Sequence, residues 1–142
     1  MLLGIPKILS PELLKILMEM GHGDEIVIAD GNFPSAALAK RLVRADGHGV
    51  PELLDAILQL FPLDTYVQEP VVLMAVAAED TAPTPAIWDT YATILEKYGD
   101  VCIDHMGRFA FYERAKAAYA VIATGESAIY ANIILKKGVV KE

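Results

Sequence analysis

Apolar residues in this chain recur in two rhythms, and the alternation between them marks out helices and strands. After Ser10-Pro11-Glu12, residues Leu13, Leu14, Leu17 and Met20 fall on one face at helical spacing. Ser10 suits the N-cap and Pro11 the first helical position, where its missing N–H costs nothing. Gly21 reads as the stop, in the C′ position. Glu25 to Ala29 is a short apolar run of the kind that forms a buried strand, and it ends on Asp30. The turn residues of Gly31-Asn32-Phe33-Pro34 predict a loop.

The same pattern continues along the chain. Arg41 to Ala45 predicts a second strand, followed by the turn Asp46-Gly47-His48-Gly49. Pro51 opens a helix carrying Leu53, Leu54, Ile57, Leu58 and Phe61, and Pro62 closes it. Val71 to Ala77 reads as a fully buried strand. Thr81-Ala82-Pro83-Thr84-Pro85 is a loop, with Thr84 as N-cap and Pro85 at the first position of a helix. Ile87, Tyr91, Ile94, Leu95 and Tyr98 line that helix, and Gly99 ends it. Val101 to His105, Tyr119 to Ala123 and Ile129 to Leu135 complete the strands, and Phe109 to Ala118 forms a last helix, with Arg108 just before it. This order predicts one α/β domain over residues 1–142: three layers, with a mixed sheet of about six strands covered by about four helices.

Composition narrows the class. A chain of 142 residues can bury a core without staples. Its apolar share of 54%, or about 57% with Gly counted in place of Tyr, exceeds the usual 45–50% and points to contacts between subunits. The net charge of −7 leaves no basic footprint for a phosphate backbone or an anionic membrane. Cys102 is the lone cysteine, so no intrachain disulfide forms and a reducing cytoplasm is expected. Between Val101 and Ile103 it reads as a small buried hydrophobe. The longest strongly apolar run, Val71 to Ala78, falls far short of the ~20 residues of a spanning helix, and the N-terminus lacks a basic n-region.

Candidate chemistry sits at a few places. P-loop, G-x-G-x-x-G, H-E-x-x-H, C-x-x-C and G-x-S-x-G motifs are all absent. His22 stands between Gly21 and Gly23 at a helix-to-strand turn, where glycine neighbours allow close approach of a ligand. Asp30 ends the next strand, at the carboxyl end where open α/β sheets hold ligands. The alternative is a surface turn histidine and a turn-forming aspartate. A metal site could be drawn from His22, Asp24, Asp30, His48 and His105, but no pair among them has a zinc spacing. In Arg108-Phe109-Ala110-Phe111-Tyr112-Glu113-Arg114-Ala115 the aromatics read as core, yet a cation at a helix start opposes the dipole. Holding ligand hydroxyls or a carboxylate would explain it. Alternation along a strand puts Tyr130 and Asn132 on one face, a phenol and an amide suited to a polyol.

These blocks, with Leu9-Ser10-Pro11-Glu12-Leu13-Leu14, Met20-Gly21-His22-Gly23-Asp24-Glu25-Ile26, Arg44-Ala45-Asp46-Gly47, Pro62-Leu63-Asp64-Thr65-Tyr66, Ala123-Thr124-Gly125-Glu126 and Tyr130-Ala131-Asn132-Ile133-Ile134-Leu135-Lys136-Lys137-Gly138-Val139, together carry a resemblance. Over essentially its whole length the chain resembles the family of L-fucose mutarotases and D-ribose pyranases. The fucose branch is the nearer one, because Arg108 stands where ribose pyranases carry a histidine. Tyr130-Ala131-Asn132 follows the ribose spelling, and His48 replaces an apolar residue of the relatives.

The resemblance implies interconversion of sugar anomers through ring opening, without metal or cofactor. It implies His22 as general acid/base and Tyr130 as a possible proton relay. Asp30, Arg108, Tyr130, Ala131 and Asn132 would bind the monosaccharide. It also implies a ring-shaped homodecamer with sites near subunit contacts. The alternatives are a pyranose–furanose interconversion of D-ribose and a non-catalytic sugar-binding ring protein.

Overall fold

The computed structural model describes residues 1–81 and 83–142. Among the described residues five helices alternate with six strands: α1 (Pro11–Glu19), β1 (Glu25–Ala29), α2 (Ser35–Leu38), β2 (Leu42–Ala45), α3 (Val50–Leu58), β3 (Val71–Met74), α4 (Ala86–Glu96), β4 (Ile103–Met106), α5 (Arg108–Ala117), β5 (Ala120–Thr124) and β6 (Ile133–Lys136). The strands form one sheet in the order β2-β5-β1-β6-β3-β4. β2, β5 and β1 are parallel neighbours, as are β3 and β4. β6 runs antiparallel to both β1 and β3. Every strand but β6 therefore points the same way, and the carboxyl ends of β1, β2, β3, β4 and β5 share one edge.

Alternation along each strand divides the core. Ile26 and Ile28 of β1 face α1, α3 and α4, where Leu13, Leu54, Ile57, Tyr91 and Leu95 are buried. Val27 and Ala29 face the opposite way and pack with Phe33, Phe111 and Ala115 from α5 and the segment before α2. The central strands are covered on both sides, which is why they read as unbroken apolar runs rather than as alternating ones. The result is the expected three-layer α/β domain.

Helix starts are held by side chains. The Ser10 hydroxyl accepts from the Leu13 N–H at 3.1 Å, as its N-cap position predicts. At α3 the Gly49 N–H donates to Glu52 at 2.8 Å and the Val50 N–H to Glu126 at 3.1 Å, which satisfies two of the orphaned donors.

Several local expectations change. α2 is a single turn that the loop residues before it did not announce. α4 begins at Ala86 with Pro85 in the cap position, one residue later than Thr84 predicts, and Ala82 lies outside the described residues. Gly21 does not take the left-handed conformation; α1 ends on extended Met20, and the positive φ of 87° falls on Gly23. A turn over His22 and Gly23 carries the chain into β1, fixed by the Gly21 N–H on the Asp24 carboxylate (2.8 Å) and the Gly23 N–H on the Lys137 carbonyl (2.8 Å). Cys102 is exposed, because β4 starts one residue after it and it precedes the covered part of the sheet.

Candidate active site

The carboxyl edge of the sheet opens into a cavity of about 230 Å³ whose walls include Asp30, Arg108, Tyr112, Tyr130 and Asn132. Drug-sized pockets run to ~300–1,000 Å³, so this is the scale of a small polar ligand. Asp30 follows β1 directly and is buried. Burial pushes its carboxyl up, while the N–H groups of Asn32, Ala131 and Phe33 pull the other way. Its own N–H donates to the Asn132 Oδ1 at 2.8 Å. That bond fixes the orientation of the Asn132 amide, whose NH₂ group supplies donors for a ligand.

Arg108 is the first residue of α5, placed at the rim because β4 ends at Met106 on the same edge. Its Nε donates to the Tyr112 Oη at 3.0 Å, one helical turn on. The guanidinium also lies 5.3 Å from the ring centres of both Phe109 and Tyr112. These contacts offset the unfavourable dipole and use only Nε as a donor, in a residue that is exposed and lines the cavity. The aromatics of this helix split: Phe111 is core, Tyr112 is half-buried, and Phe109 is exposed rather than buried as expected.

Tyr130 and Asn132 share the cavity, but not through strand alternation. β6 begins only at Ile133, and Tyr130 adopts a left-handed φ of 55°. A non-glycine residue there costs on the order of 1–3 kcal/mol, so its neighbours must hold it. The Trp88 indole donates to the Tyr130 carbonyl at 2.8 Å, and the Tyr91 hydroxyl to the Ala131 carbonyl at 2.6 Å. Ala131 itself is fully buried, with its backbone groups committed to Tyr91 and Asp30.

His22 is elsewhere. It precedes β1, whereas Asp30 follows it, and a strand of five residues separates them by about 13 Å at the least. Within one chain Asp30 therefore does not approach His22, although the two stand close in the sequence. The partner of His22 is Asp64: Nε2 and Oδ1 lie 3.0 Å apart, and the Tyr66 ring packs 5.1 Å from the imidazole. The Asp64 side chain is 4% exposed and that of His22 46%. The Tyr66 N–H, and after it His22, hold the Asp64 carboxyl below its ordinary range. This is a histidine oriented by a buried carboxylate and itself open to solvent over nearly half its side chain.

Asp64, Tyr112, Met74 and Asp80 join these sites without having been singled out in the sequence. For Asp64 the signal was faint: a carboxylate two residues before Tyr66, accepting that residue's N–H at 3.0 Å in an Asx turn. Asp80 had none, since a loop acid reads as solvated. The five residues from which a metal site could be drawn are scattered over both ends of the sheet. Among the described residues no three His, Cys, Asp or Glu side chains converge to hold a metal ion.

The RbsD / FucU transport protein family matches residues 3–140. The chain belongs to that family. The fucose mutarotase of Bos taurus is 56% identical over 142 residues, spanning 96% of this chain and 92% of that protein. Among solved structures, the fucose mutarotase of Streptococcus pneumoniae in complex with L-fucose superposes with a TM-score of 0.95 at 56% identity, covering 99% of this chain and 100% of that one. Bacillus subtilis RbsD complexed with D-ribose superposes at 0.72 with 26% identity, covering 94% and 95%. Both of these structures hold a monosaccharide, and the fucose complex is the nearer of the two.

Proposed function

We propose that this chain is an L-fucose mutarotase, a cofactor-independent isomerase that interconverts the α and β anomers by ring opening and reclosure. The observation that carries the reading is the cavity at the carboxyl edge, where Asp30, Arg108, Tyr130 and Asn132 converge in a chain so close to a sugar-bound fucose mutarotase. The residues match what the reaction needs. A base removes the proton of the anomeric hydroxyl, an acid protonates the ring oxygen, and the open aldehyde rotates before it recloses. Asp30 and the Asn132 NH₂ group take sugar hydroxyls as acceptor and donor, and Arg108 donates from the rim.

His22 is the acid/base of the reading, and it reaches the cavity from a second copy of the chain. The two ends of the sheet are half-sites: one binds sugar, the other presents an imidazole on a buried carboxylate. An assembly that seats the His22 end of one subunit on the Asp30 end of its neighbour completes each site. The ring-shaped homodecamer of the family reading provides such repetition. Exposed Leu2, Leu3, Met18, Phe109 and Ile129 provide apolar surface for it. A cytoplasmic location fits the single cysteine.

D-ribose, interconverted between pyranose and furanose forms, is the second substrate to consider, because Tyr130-Ala131-Asn132 follows the ribose spelling. Saturation-transfer NMR with L-fucose and D-ribose in parallel decides between them. Exchange enhanced on fucose above ribose supports the reading. Enhancement on ribose alone, or on neither sugar, overturns it.

A further inference from the structure

We propose that Asp80 is the positioning residue for the Tyr130 phenol and receives its proton as the sugar ring opens. The inference rests on the mutarotase reading above. After β3 the chain stays tied to the sheet, because the Ala75 N–H donates to the Met106 carbonyl at 2.8 Å. It then folds into a tight turn, closed by the Asp80 N–H on the Ala77 carbonyl at 3.0 Å. This turn carries Asp80 to the wall of the cavity that Asp30, Arg108 and Tyr130 share.

The Tyr130 hydroxyl bridges the two ends of that turn. It accepts from the Ala77 N–H at 3.2 Å and lies 2.9 Å from the Asp80 Oδ2. A phenol has one O–H and two lone pairs. An ionised carboxylate only accepts, so the O–H goes to Asp80. The backbone N–H takes one lone pair, and a single lone pair is left for the ligand. Tyr130 is thereby fixed as an acceptor of a sugar hydroxyl. The left-handed backbone at Tyr130 and the Trp88 indole on its carbonyl serve the same end, since they fix where the phenol starts from.

The proton balance follows. The proton of the anomeric O1–H passes to the Tyr130 Oη as the phenol's own proton passes to the Asp80 Oδ2. The C1–O1 bond becomes a carbonyl, the bond from C1 to the ring oxygen breaks, and the ring oxygen takes a proton from the general acid. Reclosure runs the same steps backwards on either face of the aldehyde. In this role Asp80 acts through Tyr130, by the hydrogen bond between them, rather than by a contact of its own with the sugar.

That last point makes the test a double-mutant cycle. Asp80→Asn keeps an oxygen to accept the phenol proton in a hydrogen bond, but removes the charge that takes it over. Asp80 is exposed, so the substitution leaves the core untouched. Exchange of L-fucose anomers is followed by NMR across sugar concentrations for the wild type, Asp80→Asn, Tyr130→Phe and the double variant. The expected result is a fall in kcat of about 10-fold for Asp80→Asn, with KM changed less than roughly twofold. In the Tyr130→Phe background the same substitution costs nothing further. A fully active Asp80→Asn, a loss confined to KM, or an equal loss in both backgrounds overturns the relay while the mutarotase reading stands. A wild-type protein that exchanges no fucose anomers overturns both.

Discussion

The two ends of the sheet are built on opposite principles. At the carboxyl end, Asp30, Ala131 and Asn132 are buried and cross-linked through backbone groups, so the polar lining belongs to the core and moves only if the core does. At the amino end, His22 stands between two glycines with nearly half its side chain exposed, held by the one carboxylate of Asp64. The first arrangement suits recognition, which needs donors and acceptors fixed to a fraction of an ångström. The second suits proton transfer, which needs an accessible group of defined orientation. The balance at the two aspartates differs too: desolvation pushes both carboxyls up, but it wins at Asp30, while the hydrogen bonds from the Tyr66 N–H and His22 outweigh it at Asp64.

The largest effect that breaks this division of labour is His22→Ala. It should lower anomer exchange by about 10²-fold or more, as loss of a general acid/base does, while fucose binding and the oligomer survive. Titrating the sugar by NMR alongside the exchange assay checks both halves. Asp64→Asn comes next. The imidazole stays but loses the charge that orients it, and a fall in kcat of about 10-fold with an unchanged KM is expected.

The opposite shifts of the two carboxyls also predict opposite signs in stability. Asp64, held below its ordinary range, stabilises the fold above the unfolded carboxylate pKa of about 3.9, and this contribution is lost as pH falls below that. Asp30, pushed above its ordinary range, weighs against the fold at neutral pH, and the penalty is relieved as pH falls through its folded pKa. In urea unfolding at pH 7, Asp64→Asn should be less stable than the wild type and Asp30→Asn at least as stable. Both differences should shrink as pH is lowered toward 3.5. The smallest effect is expected for His48→Ala. His48 is exposed and 3.5 Å from Glu52, and it does not line the cavity that holds Asp30, so the exchange rate of the variant should stay within a few-fold of wild type.

Much of this was legible in the sequence for physical reasons. Strands buried on both faces leave unbroken apolar runs, and helix starts leave Ser10-Pro11, so the layers and all six strands could be drawn. Asp30 could be placed at the carboxyl end of β1 because a strand's direction is the chain's direction. What could not be read was which residues from distant segments share an end. The antiparallel insertion of β6 brings Lys137 to the Gly23 turn and Tyr130 to the Asp30 edge, and neither follows from local pattern. Tyr130 looked like a strand residue because it stands between apolar Ile129 and Ala131 and leads into Ile133-Ile134-Leu135. Its left-handed backbone depends on Trp88 and Tyr91, which lie some forty positions away. The separation of His22 from Asp30 is likewise hidden from any reading in which nearness in sequence stands for nearness in space.

The central claim is that one active site draws on two copies of the chain, and hybrid assemblies test it most directly. His22→Ala and Asp30→Ala proteins are each prepared alone, then dissociated together and reassembled. Each parent lacks one half-site everywhere and should exchange fucose anomers weakly. In the mixture, the intact His22 of an Asp30→Ala subunit meets the intact Asp30 of a His22→Ala neighbour, and a substantial fraction of wild-type exchange should return. If the mixture stays as inactive as its parents although mixed oligomers have formed, the site is not shared between subunits and the account is wrong.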